Sequence, residues 1–216
     1  MTKNKREPAE HYFSSAPTSQ ANYGLVRANL CGRNFEFVTA SSVFSKKRID
    51  IGTQLLIESM VLPKTGSVLD IGCGYGAVGI SAAKFNPSLK VCMTDVNTRA
   101  VSLAKKNIER NRVFNAQVRY GCLYEPVLGL QFDCVLSNPP VSAGMDTVKA
   151  IISGAPAVMV EGAVLEMVIR SKIGAKLLPA LFVETFGNCE VLARGSGFRV
   201  LLGKRVAPVE GEKSVF

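Results

Sequence analysis

A short apolar run, Val68 to Ile71, breaks into Gly72-Cys73-Gly74-Tyr75-Gly76 and is followed at once by the small and apolar residues Ala77 to Ala83. The run has the length and composition of a buried strand, and the small residues after it open a helix. Three glycines at alternate positions let the backbone turn sharply and approach a ligand with no Cβ between them. A strand, a glycine loop and a helix in direct succession predict an α/β chain with a nucleotide-like ligand at the strand end.

Two ligands compete for such a loop. Gly74, Gly76 and Gly79 also spell the dinucleotide fingerprint G-x-G-x-x-G, which offers a helix N-terminus to an anionic pyrophosphate. Asp70, two residues before Gly72, is unhelpful to an anion there. S-adenosylmethionine (SAM) carries an ammonium and a sulfonium and no phosphate, so an acid at the strand end suits it. A nicotinamide enzyme is the weaker reading.

Strand and helix patterns alternate along the rest of the chain. Leu25 to Leu30 and Phe35 to Thr39 flank Cys31-Gly32-Arg33-Asn34 as a hairpin, and Asp50 is placed to cap a helix from about Gly52 to Leu62. After Val68 to Ile71 and its helix to Phe85 come a strand at Lys90–Thr94, a helix at Thr98–Asn111, and strands near Gln117–Tyr120 and Phe132–Ser137. A helical stretch follows near Thr147–Val158, then a strand at Ala163–Arg170 and a helix from about Gly174 to Phe186. Strands at Cys189–Ala193 and Phe198–Lys204 close around Arg194-Gly195-Ser196-Gly197. This order predicts a parallel sheet covered on both faces, with an antiparallel strand at its end. The expected division is an N-terminal extension over 1–50, polar and irregular for its first 20 residues, a catalytic domain over 51–207 and a short tail over 208–216.

The 216 residues suffice for one full core. No apolar run reaches membrane-spanning length and Met1 to Pro8 lacks the apolar stretch of a signal peptide, so the expected location is the cytoplasm. Cys31, Cys73, Cys92, Cys122, Cys134 and Cys189 form no C-x-x-C pair and His11 is the single histidine, a pattern that gives no metal site and no histidine-activated nucleophile. Lys and Arg total 26 against 17 Asp and Glu, a net charge of +9, which favours a polyanionic partner such as nucleic acid without establishing one.

In open parallel sheets ligands bind beyond the carboxyl ends of the strands. Four of the expected ends are polar: Asp70 with its glycines; Asp95-Val96-Asn97, where one carboxylate can accept from both hydroxyls of a ribose; Gly121-Cys122-Leu123-Tyr124, the expected neighbour of an adenine ring; and Ser137-Asn138-Pro139-Pro140-Val141. In the last, two prolines after a buried strand make a rigid turn without N–H donors. It can present the Asn138 side-chain oxygen and the Pro139 carbonyl as two acceptors to one NH2 group.

Asp70-x-Gly72-x-Gly74-x-Gly76, then Asp95, then Asn138-Pro139-Pro140 resembles a class I SAM-dependent methyltransferase acting on planar exocyclic nitrogens. His11-Tyr12-Phe13, Val43-Phe44-Ser45 and Asp50-x-Gly52-Thr53 with Leu55-Leu56 are similar to the small-subunit ribosomal RNA guanine-N2 methyltransferases, especially compact single-domain archaeal-type members. The likeness runs from about His11 to Arg205. It implies a Rossmann-like, seven-stranded, mostly parallel sheet with helices on both faces and a short N-terminal extension. It implies SAM as cofactor, held by Asp70, Gly72, Cys73, Gly74, Gly76, Asp95, Val96, Cys122, Leu123 and Asn138. Asn138, Pro139 and Pro140 would be catalytic, and RNA, as ribosomal RNA or a small-subunit particle, would be the partner. Adenine N6, a protein glutamine amide, or a module that holds SAM without turnover remain alternatives.

Two positions depart from the pattern. Cys122 stands where many relatives carry Asp or Asn, and Val141 replaces the aromatic residue that adenine and glutamine methyltransferases stack on the acceptor. Base stacking is therefore expected from Phe44 or Phe13. Phe44, Lys46, Lys47, Arg48, Thr53 and Val141 are the expected substrate contacts, with Lys3, Lys5 and Arg6 as further RNA contacts. Arg99, Lys105, Lys106, Arg110 and Arg112 are expected on the wet face of an amphipathic helix.

Overall fold

The computed structural model describes residues 20–43, 45, 47–139 and 144–206. His11, Phe13, Phe44, Lys46, Pro140, Val141, Lys3, Lys5 and Arg6 lie outside the described residues, as does the irregular run expected over the first 19. In chain order the elements are β1 (Tyr23–Leu30), β2 (Arg33–Ala40), α1 (Ile51–Ser59), β3 (Gly66–Ile71), α2 (Ala77–Phe85), β4 (Leu89–Asp95), α3 (Thr98–Arg110) and β5 (Ala116–Tyr120). After these come β6 (Phe132–Ser137), α4 (Met145–Gly154), β7 (Met159–Arg170), α5 (Leu177–Phe186), β8 (Glu190–Gly195) and β9 (Phe198–Lys204).

Seven strands form one sheet in the order β5-β4-β3-β6-β7-β9-β8. Neighbours from β5 to β7 are parallel, and β9 runs antiparallel to both β7 and β8. The chain winds outward from β3 to β5 and then returns to β6 on the other side of β3. That reversal leaves a crevice above the carboxyl ends of β3 and β6, where open sheets bind ligands. One apolar cluster gathers α1, α2, α3 and the hairpin on one face, and a second gathers α4 and α5 on the other. The architecture is the Rossmann-like α/β sheet expected, except that the antiparallel strand sits second from the edge.

β1 and β2 pair as a separate antiparallel ribbon through the two-residue turn Cys31-Gly32, both at positive φ (48° and 77°), the geometry that matches strand twist. α3 holds the ribbon by its backbone. Asn107 takes both backbone groups of Val38, accepting from its N–H at 2.7 Å and donating to its carbonyl at 2.9 Å. Asn111 does the same at Glu36, at 3.1 Å and 2.8 Å. Four residues of helix rise about 6 Å and two residues of strand about 6.6 Å, so one asparagine pair keeps step with one strand edge. The basic face of α3 and the turn after it are wet as expected at Lys105, Lys106, Arg110 and Arg112, all exposed. Arg110 makes an exposed pair with Glu36 at 2.7 Å, Lys106 lies over the Tyr23 ring, and only Arg99 is half-buried, donating to the Ser41 carbonyl at 2.9 Å.

Of the boundaries that differ from the sequence reading, three have a visible cause. α1 ends at Ser59 rather than near Leu62, because Met60 turns extended and the Val61 N–H leaves the helix for the Glu166 carboxylate at 3.0 Å. β7 begins at Met159 rather than Ala163; its register to β6 shifts between Phe132 and Cys134, and Gly162 takes a left-handed φ of 80°. α5 begins at Leu177 because Gly174, at φ 60°, breaks the helical path, and Pro179 falls within the first turn, where its missing N–H is harmless.

Candidate functional site

Backbone bonding fixes the glycine loop to its neighbouring strand. The N–H groups of Gly72 and Cys73 both donate to the Thr94 carbonyl, at 2.9 Å and 3.0 Å, and that of Gly76 returns to Cys73 at 2.9 Å. Gly72, Gly74 and Gly76 have φ of 72°, 58° and 92°, a region that disfavours any side chain. A Cβ at Gly76 would meet Ile80 at 2.9 Å, whereas one at Gly72 or Gly74 would meet nothing within 4 Å. The first two glycines thus line open space and the third faces protein. A backbone cradle with that opening leaves room for a ligand beside Gly72 and Gly74.

Asp70 is 1% exposed, and its Oδ2 accepts from the Gly79 N–H at 2.8 Å, inside the first turn of α2. Burial raises its carboxyl to about 7, with the nearby Asp95 charge adding to the rise. Asp95 closes β4 and braces the loop: its Oδ2 accepts from the Gly74 N–H and its Oδ1 from the Asn97 N–H, each at 2.8 Å. Burial raises this carboxyl too. The Val96 N–H donates to it as well; a carboxylate has about four lone-pair directions, so acceptor capacity remains for a ligand hydroxyl. The Cys73 thiol is pushed well up, by burial first and then by Asp95 and Asp70, away from the thiolate form that a nucleophile needs.

Cys122 is exposed and Leu123, at φ 45°, follows it at the end of β5, whose Gly121 N–H donates to the Asp95 carbonyl at 3.1 Å. Val96 is half-buried beside Asp95. Tyr124 belongs elsewhere: its ring is buried in the α4–α5 core and its hydroxyl donates to the Ile151 carbonyl.

On the other side of β3, the Ser137 hydroxyl donates to the Ile71 carbonyl at 3.1 Å and ties the end of β6 to the start of the loop. Asp70 pairs in register with Leu136, so the glycine loop and Asn138 leave the sheet from the ends of two adjacent strands. The Asn138 Nδ2 donates to the Thr53 hydroxyl at 2.8 Å and reaches Asp50 Oδ2 at 3.4 Å. The same Asp50 oxygen caps α1, accepting from the N–H groups of Gly52 at 2.9 Å and Thr53 at 3.3 Å. A carboxylate only accepts, so the atom beside it must be the NH2 of Asn138, which leaves the amide oxygen as the end available for an outside donor.

Thr53, expected as a substrate contact, is buried and holds Asn138. Pro139 is buried directly after Asn138, while Lys47 and Arg48 are exposed on the loop leading into α1. Among the described residues no group of three or more His, Cys, Asp or Glu could hold a metal, and no helix is long and apolar enough to cross a membrane. A groove of about 460 Å³ lined by Lys90, Phe114, Gln117 and Arg119 opens at the starting ends of the strands, the opposite end of the sheet from Gly72 and Asn138.

The profile of the methyltransferase small domain family matches residues 34–202. The uncharacterized protein YbxB of Bacillus subtilis is 35% identical over 200 residues, covering 92% of this chain and 100% of its own. The ribosomal RNA small subunit methyltransferase C of Erwinia tasmaniensis is 33% identical over 166 residues, 75% of this chain and 47% of its own length. That of Mannheimia succiniciproducens is 36% identical over 162 residues, 73% of this chain and again 47% of its own. The chain therefore spans about half the length of those methyltransferases. Among solved structures, the T. thermophilus 16S rRNA N2 guanine methyltransferase in complex with AdoMet and guanosine superposes with a TM-score of 0.78 at 24% identity, over 88% of this chain and 52% of that one. At that identity the likeness is one of fold.

Proposed function

The chain belongs to the methyltransferase small domain family, and from that premise we propose that it is a SAM-dependent N-methyltransferase whose acceptor is the exocyclic N2 amine of a guanine in ribosomal RNA. The observation that carries the reading is the Asn138 amide, anchored by its nitrogen to Thr53 and Asp50, with no partner on its oxygen among the described residues, next to a glycine loop whose first two glycines face open space. The names of the longer relatives, ribosomal RNA small subunit methyltransferase C, support ribosomal RNA as the substrate, and the N2 guanine named for the T. thermophilus enzyme of like fold supports the acceptor.

SAM would supply a methyl group already activated by a positively charged sulfur. Gly72 and Gly74 would line its methionine end and Asp95 would accept from its ribose, with Val96, Cys122 and Leu123 beside the adenine. The buried carboxyls of Asp70 and Asp95 place negative potential at the cradle when ionised, and this favours a cationic ligand. Asn138 Oδ1 and the Pro139 carbonyl would accept from the two hydrogens of the target amine. That pairing aims the nitrogen lone pair toward the cradle and offsets the positive charge that grows on nitrogen as its new bond forms. The surplus proton then passes to water, so the site works without a histidine base.

Nucleoside analysis tests the reading. After incubation with methyl-labelled SAM and small-subunit ribosomal RNA, the label should appear in N2-methylguanosine. Label in N6-methyladenosine, or in protein when a protein fraction is offered instead, would replace the acceptor. Binding of SAM with no label transferred to any fraction would overturn the enzymatic reading.

A further inference from the structure

The half of the sheet on the far side of Asn138 from the glycine loop ends in a surface that the proposed chemistry does not use. Its loops are 170–176, Arg-Ser-Lys-Ile-Gly-Ala-Lys, and 194–199, Arg-Gly-Ser-Gly-Phe-Arg; neither contains an acid. β6, β7 and β8 point the same way, so Arg170 at the end of β7 and Arg194 near the end of β8 emerge on the side of the sheet where Asn138 lies. The Ser171 N–H donates to the Gly197 carbonyl at 2.8 Å and joins the two loops into one rim. Arg170, Lys172, Lys176 and Arg194 are exposed, and no ion pair engages them among the described residues.

This rim is coupled to the acceptor turn by contact. The guanidinium of Arg170 lies 5.0 Å from the centre of the Phe198 ring. That ring packs against the first turn of α1, where a Cβ at Gly52 would stand 2.9 Å from it and 3.0 Å from Asp50 Oδ2. Asp50 and Thr53 in turn hold Asn138. Beneath the rim Arg199 is 8% exposed; its Nη2 donates to the Ala175 carbonyl at 2.8 Å, and its Nε is buried without a hydrogen-bond partner. A buried guanidinium that makes no ion pair among the described residues adds to the positive potential at the rim. The loop that enters α1 on the same side contributes Lys47 and Arg48.

Resting on the methyltransferase reading above, we propose that the ends of β7 and β8 and the start of β9 form the RNA-docking surface, with Arg170, Lys172, Lys176 and Arg194 neutralising backbone phosphates while the target base turns in toward Asn138. The sheet then divides its labour: β3 to β5 hold the methyl donor, β6 presents the acceptor turn, and β7 to β9 carry the nucleic acid. β6 and β8 lie three strand spacings apart, about 14 Å, wide enough for successive phosphates of one RNA strand to follow the rim.

The test compares two triple variants of equal charge change, Lys172→Gln with Lys176→Gln and Arg194→Gln, and Lys64→Gln with Lys90→Gln and Lys105→Gln, in binding a fluorescein-labelled RNA stem–loop between about 50 and 200 mM salt. Each phosphate contact contributes about 0.7 to 0.9 to the slope of log affinity against log salt, so the first triple should lower the slope by about 2 to 3. The second should leave it unchanged. Both should bind SAM as the wild type does, which checks the fold, and the first should raise the KM for RNA with little change in kcat. Equal slopes for the two triples, or no change in the first, would overturn the docking surface. Because the binding arm needs no turnover, it decides this surface even if the nucleoside analysis finds no N2-methylguanosine.

Discussion

Asn138 is gripped by Thr53 across 85 residues of sequence, with the side-chain amide donating to the hydroxyl at 2.8 Å. The bond occupies the donor end of the amide and decides which end faces the cleft. Without it the amide could rotate and present NH2 to an amine, donor against donor.

Thr53→Val should therefore lower kcat by about tenfold while costing about 1 kcal/mol of stability, the scale of one buried hydrogen bond. Asn138→Ala removes the acceptor itself and should lower kcat by about 100- to 1,000-fold. Both should bind SAM with nearly wild-type affinity by calorimetry. Wild-type turnover in Asn138→Ala would remove the residue from the chemistry.

The glycines of the loop should separate binding from stability. Alanine at Gly72 or Gly74 carries about 1–2 kcal/mol of left-handed backbone strain and points its methyl into the open cradle, so SAM affinity should fall by tenfold or more. Alanine at Gly79 would meet Met93 at 2.5 Å and Asp70 Oδ2 at 3.1 Å, so its main effect should be about 1–3 kcal/mol of overpacking. Calorimetric SAM titration and urea unfolding of the three variants read the two effects apart. The same loss of affinity in all three would contradict the assignment of Gly72 and Gly74.

Two buried carboxyls give stability a definite pH dependence. Asp70 rises from 3.8 to about 7 and Glu166 from 4.5 to about 7, burial being the larger cause in each. Through that window the folded chain keeps protons the unfolded chain has released, so stability is greatest below it, falls as pH rises toward 7 and levels off above. Asp70→Asn and Glu166→Gln keep an oxygen to accept from the Gly79 and Val61 N–H groups and remove the titration. Melting temperature plotted against pH should slope less in either variant than in the wild type; parallel curves would refute the cause.

The hairpin should depend on α3 more than on its own two strands. Asn107→Leu would strand the buried N–H and carbonyl of Val38 together with the Tyr75 carbonyl, at about 1–3 kcal/mol for each group left unsatisfied. Hydrogen exchange at the Val38 amide should accelerate more than at Leu69 in the centre of β3. Equal acceleration at both sites would mean that the hairpin opens only with the whole domain.

What could be read from the sequence was local. Asp70, Asp95 and Asn138 stand out because each lies at or next to the carboxyl end of a short apolar strand, and the alternation of patterns was enough to predict a parallel sheet but not the order of its strands. Asp50 was legible as a cap from its place before a helical run, and the Cys31-Gly32 turn from its flanking strands. The partnerships that make the site work join distant segments. Thr53 with Asn138, Ser137 with Ile71 and Glu166 with Val61 leave no periodic trace, so Thr53 read as a substrate contact instead of an anchor. The same blindness hid the surface pair of Arg110 with Glu36, and it hid the cationic rim, whose residues lie in two loops that only the β7–β9 pairing brings together.

The most direct test of the central claim is a crystal structure with S-adenosylhomocysteine and guanosine bound. The account predicts the homocysteine sulfur above Gly72 and Gly74 and the guanine N2 amine within about 3.2 Å of Asn138 Oδ1, a hydrogen-bond distance. A guanine that leaves its N2 amine away from Asn138, or an Asn138 amide released from Thr53 and turned into the core, would contradict it.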